Sequence, residues 1–193
     1  MPLQKQFDVD DVLDSVMEAF WERGYEATSV QDLVECTGVN RGSLYATYGD
    51  KRALFLAALR RYEETVLSRT LADLEARLEP RDAIRSVFEL FAEPARRGRP
   101  ARGCLIANST LELAAHDGEV REIVAGAQHR IETFFARMIE QGRARGEIAA
   151  RVKAREAAGG LLASLLGMVV LTRSRPEEAL LGAVIDDAMG HLT

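Results

Sequence analysis

The stretch Gly24-Tyr25-Glu26-Ala27-Thr28-Ser29-Val30-Gln31-Asp32-Leu33, followed by Thr37-Gly38-Val39-Asn40-Arg41-Gly42-Ser43-Leu44-Tyr45-Ala46-Thr47-Tyr48-Gly49-Asp50-Lys51-Arg52-Ala53-Leu54-Phe55, decides the fold. Thr28-Ser29-Val30-Gln31 has the form of a capping box opening a short helix, with Val30, Leu33 and Val34 turned inward. Gly38 ends that helix, and Arg41 to Thr47 forms a second one. Two short helices joined through Thr37-Gly38-Val39-Asn40 have the proportions of a helix-turn-helix, whose second helix enters the DNA major groove. From Cys36 to Gly49 there is one Arg and no carboxylate. Arg41, Ser43, Tyr45 and Thr47 offer donors to phosphates or base edges, and Gly42 lets the backbone come close.

Working outward, every flanking segment repeats apolar residues at helical spacing, and no strand-like alternation occurs. Upstream, Val9, Val12, Leu13, Val16, Met17 and Phe20 make one stripe; Asp8 suits the N-cap, Phe7 and Val12 are spaced as a hydrophobic staple, and Gly24 closes the helix. Downstream, Gly49-Asp50 opens a long helix running to about Leu78, which spans roughly 40 Å at ~1.5 Å per residue and stops at Pro80. A helix with Ile84, Val87, Phe88 and Phe91 follows, then a linker, Glu93-Pro94-Ala95-Arg96-Arg97-Gly98-Arg99-Pro100. Gly103 to His116 and Val120 to Arg145 read as two helices. Ile148 to about Leu171 is mostly apolar, and Pro176 marks the first turn of a last helix. The fold expected is all-α, of about nine helices, with residues 1–48 a DNA-binding domain and 49–193 a ligand-binding and dimerisation domain.

The composition narrows the classes further. In 193 residues, 47% are hydrophobic and 28% charged, which excludes a disordered chain and a collagen-like repeat. The two cysteines, Cys36 and Cys104, have no metal-ligand spacing, so neither a metal nor a cofactor is expected. No signal-peptide pattern opens the chain, and the longest uncharged run, Ala157 to Thr172, is shorter than the ~18–20 residues of a membrane helix, so a cytoplasmic protein without membrane contact is expected. The net charge of −5 argues against nucleic acid until it is resolved along the chain. Residues 1–35 carry −7, part of it explained by aspartates at a helix start, whereas residues 36–52 carry +2. No nucleophile–base arrangement and no phosphate-binding glycine loop suggest an enzyme.

The long quoted string resembles the tetracycline-repressor (TetR) family of bacterial transcription regulators over about the first third of the chain. The resemblance implies a homodimeric repressor that binds a palindromic double-stranded DNA operator and leaves it when a small-molecule effector enters the C-terminal domain. By position, Thr28 resembles the phosphate contact at the second helix, Arg41, Gly42 and Ser43 resemble the base-reading positions, and Asn40 beside them is a further DNA-binding candidate. Tyr45 and Lys51 resemble phosphate contacts, Thr47 a contact to phosphate or base, and Tyr48 a core aromatic. Ala46 and Thr47 stand where a bulkier aromatic or His is often found, and Lys5 is the one cation before the first helix. Plainer readings stand beside these: Arg41 as a solvated charge, Lys51 as a first-turn helix residue, Tyr45 as core, Thr28 as a cap.

In the C-terminal half, Gly159, Gly160, Ala163, Ser164 and Gly167 place small residues on neighbouring turns, among more leucines than one core face needs. With Leu171, Leu181, Val184 and Ile185 they suggest a four-helix dimer interface; a buried core pair is the alternative. Tyr62, Phe88, Phe91, Phe134, Phe135 and Met138 suggest an apolar effector cavity, with His129 and Tyr62 as polar contacts, although such a stripe is more often plain core. Cys104 follows Arg96, Arg97, Arg99 and Arg102 at a helix start, an environment that favours thiolate, so it is either a sensor of electrophiles or a small core residue. Cys36 reads as inert core. The competing function is a helical small-molecule-binding or adaptor protein that does not read DNA.

Overall fold

The computed structural model describes residues 8–193, so Lys5 and Phe7, and with Phe7 the staple to Val12, lie outside the described residues. Nine helices and no strand occur among them. The helices are α1 (Val9–Arg23), α2 (Val30–Thr37), α3 (Arg41–Tyr48), α4, α5 (Pro80–Arg96), α6 (Leu105–Glu112), α7 (Gly118–Ala144), α8 (Ala154–Ser174) and α9 (Glu178–Gly190). Helix α4 runs unbroken from Lys51–Tyr62 through a π-helical turn, Glu63–Ser68, into Arg69–Arg77.

Local chemistry sets most of these ends. Asp8 caps α1, accepting from the Asp10 and Asp11 amides. Ser29, rather than Thr28, caps α2, and its capping box is closed by Asp32. Gly38 sits at φ 67°, the left-handed conformation that the tight turn to α3 requires. The segment expected to be a linker is largely helical: α5 continues through Pro94 to Arg96, steadied by an Arg96–Glu89 ion pair at 2.5 Å. Pro94 is accommodated one turn from the helix end, and the true connection is Arg97 to Cys104. The other shifts are smaller. Ile148 and Val152 are buried in the connection that precedes α8, and Pro176 stands before the N-cap Glu177 rather than inside the last helix.

Buried side chains form two clusters. The upper one joins Val12, Val16, Met17 and Phe20 of α1 with Leu33, Leu44, Leu54, Phe55 and Leu59, and continues into α6 and the first half of α7 through Leu105, Ile106, Val120 and Val124. The lower one packs α5, the second half of α7, α8 and α9. The upper cluster thus crosses the 48/49 division, because α4 lends one face to the short N-terminal helices and the rest to the C-terminal half. By length and composition α8 could cross a membrane. Its leucine-rich face instead packs along α7, with Leu161, Leu165 and Met168 in the lower core.

Candidate functional site

Helix α3 is anchored by one face. Leu44 is fully buried and Val39, in the turn, nearly so. The Tyr48 hydroxyl donates to the Val9 carbonyl at 3.0 Å, which ties the end of α3 to α1. Away from that face Arg41 and Gly42 are exposed and Ser43 and Thr47 half-buried, whereas the half-buried Tyr45 also packs against the core of the N-terminal helices. Asn40 caps the helix, its Oδ1 accepting from the Ser43 amide at 3.0 Å, so only its side-chain NH2 remains for a ligand. The Arg41 guanidinium lies 5.3 Å from the centre of the Tyr45 ring one turn on, an arrangement that limits its wandering. Lys51 Nζ sits 4.4 Å over the Tyr25 ring.

Three expectations change here. Thr28 is fully buried and its hydroxyl donates to the Gly24 carbonyl at 2.6 Å, so it secures the α1–α2 turn and does not face outward. Cys36 is exposed, not core, because the short α2 turns only Leu33 fully inward. Arg52 does not add to the cationic face. It pairs with Asp117 at 2.6 and 2.9 Å and with Glu119 at 3.2 Å, on the far side of α4. Arg52 and the two α7 amides that Asp117 caps hold its carboxyl down at about 2. Among the described residues, Arg41 and Lys51 are therefore the outward cations of this segment without a carboxylate partner.

A second site lies where the two buried clusters meet. A cavity of about 460 Å³ is bounded by α1, α4, α5, α6, α7 and α8 and by the Arg99–Cys104 connection. Tyr62, Phe91 and Cys104 line it, as the sequence suggested. Phe88, Phe134, Phe135 and Met138 do not: they fill the lower core, with Phe88 and Phe135 stacked at 6.0 Å and Phe134 tilted against Phe135 at 5.8 Å. His129 is exposed on α7, away from this cavity, and with Phe134 lines a separate one of about 440 Å³ between α4 and α7. Most of the remaining lining is not among the sequence candidates, including Trp21 and the polar Thr70, Gln128, Thr172, Arg99 and Arg102. Trp21 lies off the main apolar stripe of α1, and a tryptophan there was the one available hint. Within the cavity the Tyr62 hydroxyl donates to Cys104 Sγ at 3.5 Å, and burial holds the Tyr62 phenol well above its usual range, so it remains protonated.

Helix α6 and its flanks join this cavity to the DNA-facing helices. Trp21 Nε1 donates to the Gly103 carbonyl at 3.0 Å. The Arg102 guanidinium lies 4.2 Å from the Trp21 ring centre and pairs with Glu18. The Glu112 carboxylate accepts from the Tyr25 and Glu26 amides at 3.1 and 2.8 Å, where Gly24 at φ 84° leaves room that a Cβ would take.

On α8 and α9, Gly160 and Gly167 are exposed, Val170 is 46% exposed, and Ser164, Leu171 and Val184 are half-buried. A Cβ on Gly160 or Gly167 would meet nothing within 4 Å, so packing within the chain does not require glycine there. Leu181 and Ile185, expected on the same face, are buried in the lower core, one side of α9 being needed to close it against α5 and α8.

Comparison with known proteins places this architecture. The description "Bacterial regulatory proteins, tetR family" matches residues 12–58, and "Tetracyclin repressor-like, C-terminal domain" matches residues 80–186. The HTH-type transcriptional regulator YezE of Bacillus subtilis (strain 168) is 36% identical over 77% of this chain and 76% of its own length. The HTH-type transcriptional repressor ComR of Escherichia coli (strain K12) is 36% identical over 75% and 69%. Among solved structures, a cysteine mutant of the TetR family transcriptional regulator CifR, complexed with 26 bp double-strand operator DNA, superposes with a TM-score of 0.79 at 28% identity, over 98% of this chain and 99% of that one. An adaptor that does not read DNA finds no counterpart among these relatives. With an acid-free helix presented to solvent on this scaffold, and with both family descriptions matched, the chain belongs to the tetracycline-repressor (TetR) family and is a DNA-binding regulator of transcription, not an enzyme.

Proposed function

We propose that the chain is a repressor that binds a palindromic operator as a homodimer in the cytoplasm and is released by a small, mainly apolar effector. Residues 1–48 carry the DNA reading and residues 49–193 the effector cavity and the dimer face. In this reading Arg41, Gly42 and Ser43 meet base edges, Tyr45 and Lys51 meet phosphates, and Thr47 and the free amide of Asn40 meet either. Gly160, Ser164, Gly167, Leu171 and Val184 form the contact between subunits. The observation that carries the reading is the position of Trp21: it belongs to α1, yet it forms part of the cavity wall. A molecule filling the cavity therefore bears directly on the helix that supports α2 and α3. A gel shift against the chain's own upstream DNA at low salt tests it. A specific complex dispersed by an effector is expected, and absence of any specific complex overturns the reading.

A second mode of release is favoured by one observation: Cys104 Sγ faces the cavity beside the Tyr62 hydroxyl. An electrophile that enters would find the thiol there. Because Cys36 is an exposed thiol on α2, the test is made in a Cys36→Ser background. N-Ethylmaleimide should release operator from Cys36→Ser and not from Cys36→Ser with Cys104→Ser, and unchanged release overturns this mode.

A further inference from the structure

The cavity has a charge bias that its apolar walls conceal. Leu67, Leu90, Phe91, Leu165, Leu166 and Val169 make it mainly hydrophobic, yet no Asp or Glu is among its lining residues, although the chain has 30 acids against 25 Lys and Arg. Two arginines, Arg99 and Arg102, are. Both belong to the connection between α5 and α6, where the exposed Arg99 has no carboxylate partner among the described residues. The neighbouring Arg96 and Arg97 are taken up by Glu89 and Glu93. Arg102 is half-committed: it lies over Trp21 and pairs with Glu18 of α1 at a solvent-exposed position. The first turn of α6 has no side-chain cap, and the N-cap Cys104 is on the wall with Ile106 and Ala107, so the positive end of that helix also borders the cavity. A neutral ligand uses none of these groups, a cation is repelled by them, and an anion is held.

We propose that the effector is an amphiphilic monoanion, an apolar body ending in one carboxylate, and that its acid group is met by Arg99 and draws Arg102 away from Glu18. This rests on the reading of the cavity as the effector site. The inner wall takes the apolar body, and the acid stays near the mouth, where it keeps part of its hydration. The exchange of partners by Arg102 loosens one of the contacts that fix α1 to the connection, so binding and release share a residue.

Trp21 is the sole tryptophan and lies on the cavity wall, so its fluorescence reports occupancy without a label. The probes are octanoate, 1-octanol and octylammonium, which share one apolar body and differ in charge. Octanoate should bind at least tenfold more tightly than octanol, and octylammonium should not saturate. Arg99→Gln should weaken octanoate two- to fivefold. Arg99→Gln with Arg102→Gln should bring octanoate down to the affinity of octanol, which serves as the control that the cavity is intact. Glu18→Gln, which frees Arg102, should tighten octanoate. Equal affinity for octanoate and octanol, preference for octylammonium, or no saturable binding of any of the three overturns the proposal. Operator binding without any probe is measured alongside by gel shift. If the specific complex forms while the charge preference fails, only the ligand class is wrong; if no complex forms, the repressor reading fails.

Discussion

The DNA-facing end and the effector cavity are built on opposite plans. The first lies in one continuous stretch, residues 24–55, in which the caps and turns are a few positions from the residues they serve, with Tyr48–Val9 and Tyr25–Glu112 as its long-range ties. The second is assembled from residues between Trp21 and Thr172, carried by six helices and a connection. A local site can be altered one residue at a time, because its scaffold is a capped helix held by Leu44 and Val39. An assembled site cannot, because Trp21, Tyr62 and Arg102 each also hold two parts of the fold together.

The largest expected effect shows that the local site is local in sequence only. Gly167→Glu places a carboxylate on the exposed face of α8, where an added Cβ meets nothing within 4 Å in its own chain. If that face joins two subunits, the buried charge separates them. Loss of the second half-site contact then costs the avidity of two linked binding events, about 100-fold or more in operator affinity. Sedimentation should show monomers that keep their helical content at room temperature but melt at a lower temperature, because subunit association no longer stabilises the native chain. An intact dimer would place the interface elsewhere.

Arg41→Ala is next. If Arg41 makes a bidentate base contact, its loss costs ~1–3 kcal/mol, roughly 5- to 150-fold, with relaxed preference at one base position. Gel shifts on operator and random DNA separate the outcomes, since equal losses on both would put Arg41 on the backbone. Cavity substitutions should not share this selectivity, because nothing in the cavity faces DNA.

This contrast also explains what could be read from the residues. The all-α fold, the two short helices and the end of α4 followed from spacing and from Gly38, Asp50 and Pro80, because caps and breakers act over a few residues. Tyr62, Phe91 and Cys104 were found as cavity residues, but Phe88, Phe134, Phe135 and Met138 were not separated from them. Both groups are apolar residues at helical spacing. Which side of an interior helix meets a void depends on how two clusters abut, and α7 contributes to both clusters. Leu181 and Ile185 were misplaced for the same reason: α9 has apolar residues on both sides, and only packing decides which side closes the core. Thr28 and Ser29 are equally good caps by residue type, and the choice between them falls to tertiary contacts of the turn.

A smaller effect probes the seam between the two regions. Asp117→Asn keeps an N-cap acceptor for α7 but removes the charge that holds Arg52. At pH 7 the melting temperature should fall by about 2–4 °C. The pH dependence fixes the cause. The Asp117 carboxyl is lowered from 3.8 to about 2 in the fold, so its ionised form stabilises the native state above pH 4, and that contribution disappears as pH falls through 2. The gap between wild type and Asp117→Asn should therefore close between pH 4 and pH 2. A gap that persists at pH 2 would assign the loss to packing instead of charge.

The smallest effect is at Lys51, which belongs to both plans. Its ammonium group rests on the Tyr25 ring, and the Tyr25 amide is held by Glu112 of α6, so the cation is placed by the seam while it faces outward beside α3. Lys51→Ala should weaken binding to operator and random DNA alike by a few-fold. It should also reduce the slope of log affinity against log salt by about one for each copy bound, as loss of one phosphate contact does. With Arg52 committed to Asp117, few cations remain on this surface, so a single one is a measurable part of the slope. Glu112→Gln provides the cross-check. If the seam positions Lys51, weakening the hold on Tyr25 should lower the same slope without removing any charge from the DNA-facing surface. A slope that responds to Lys51→Ala and not to Glu112→Gln would make Lys51 a local contact like Arg41, and would move the boundary between the two plans from Lys51 to Tyr25.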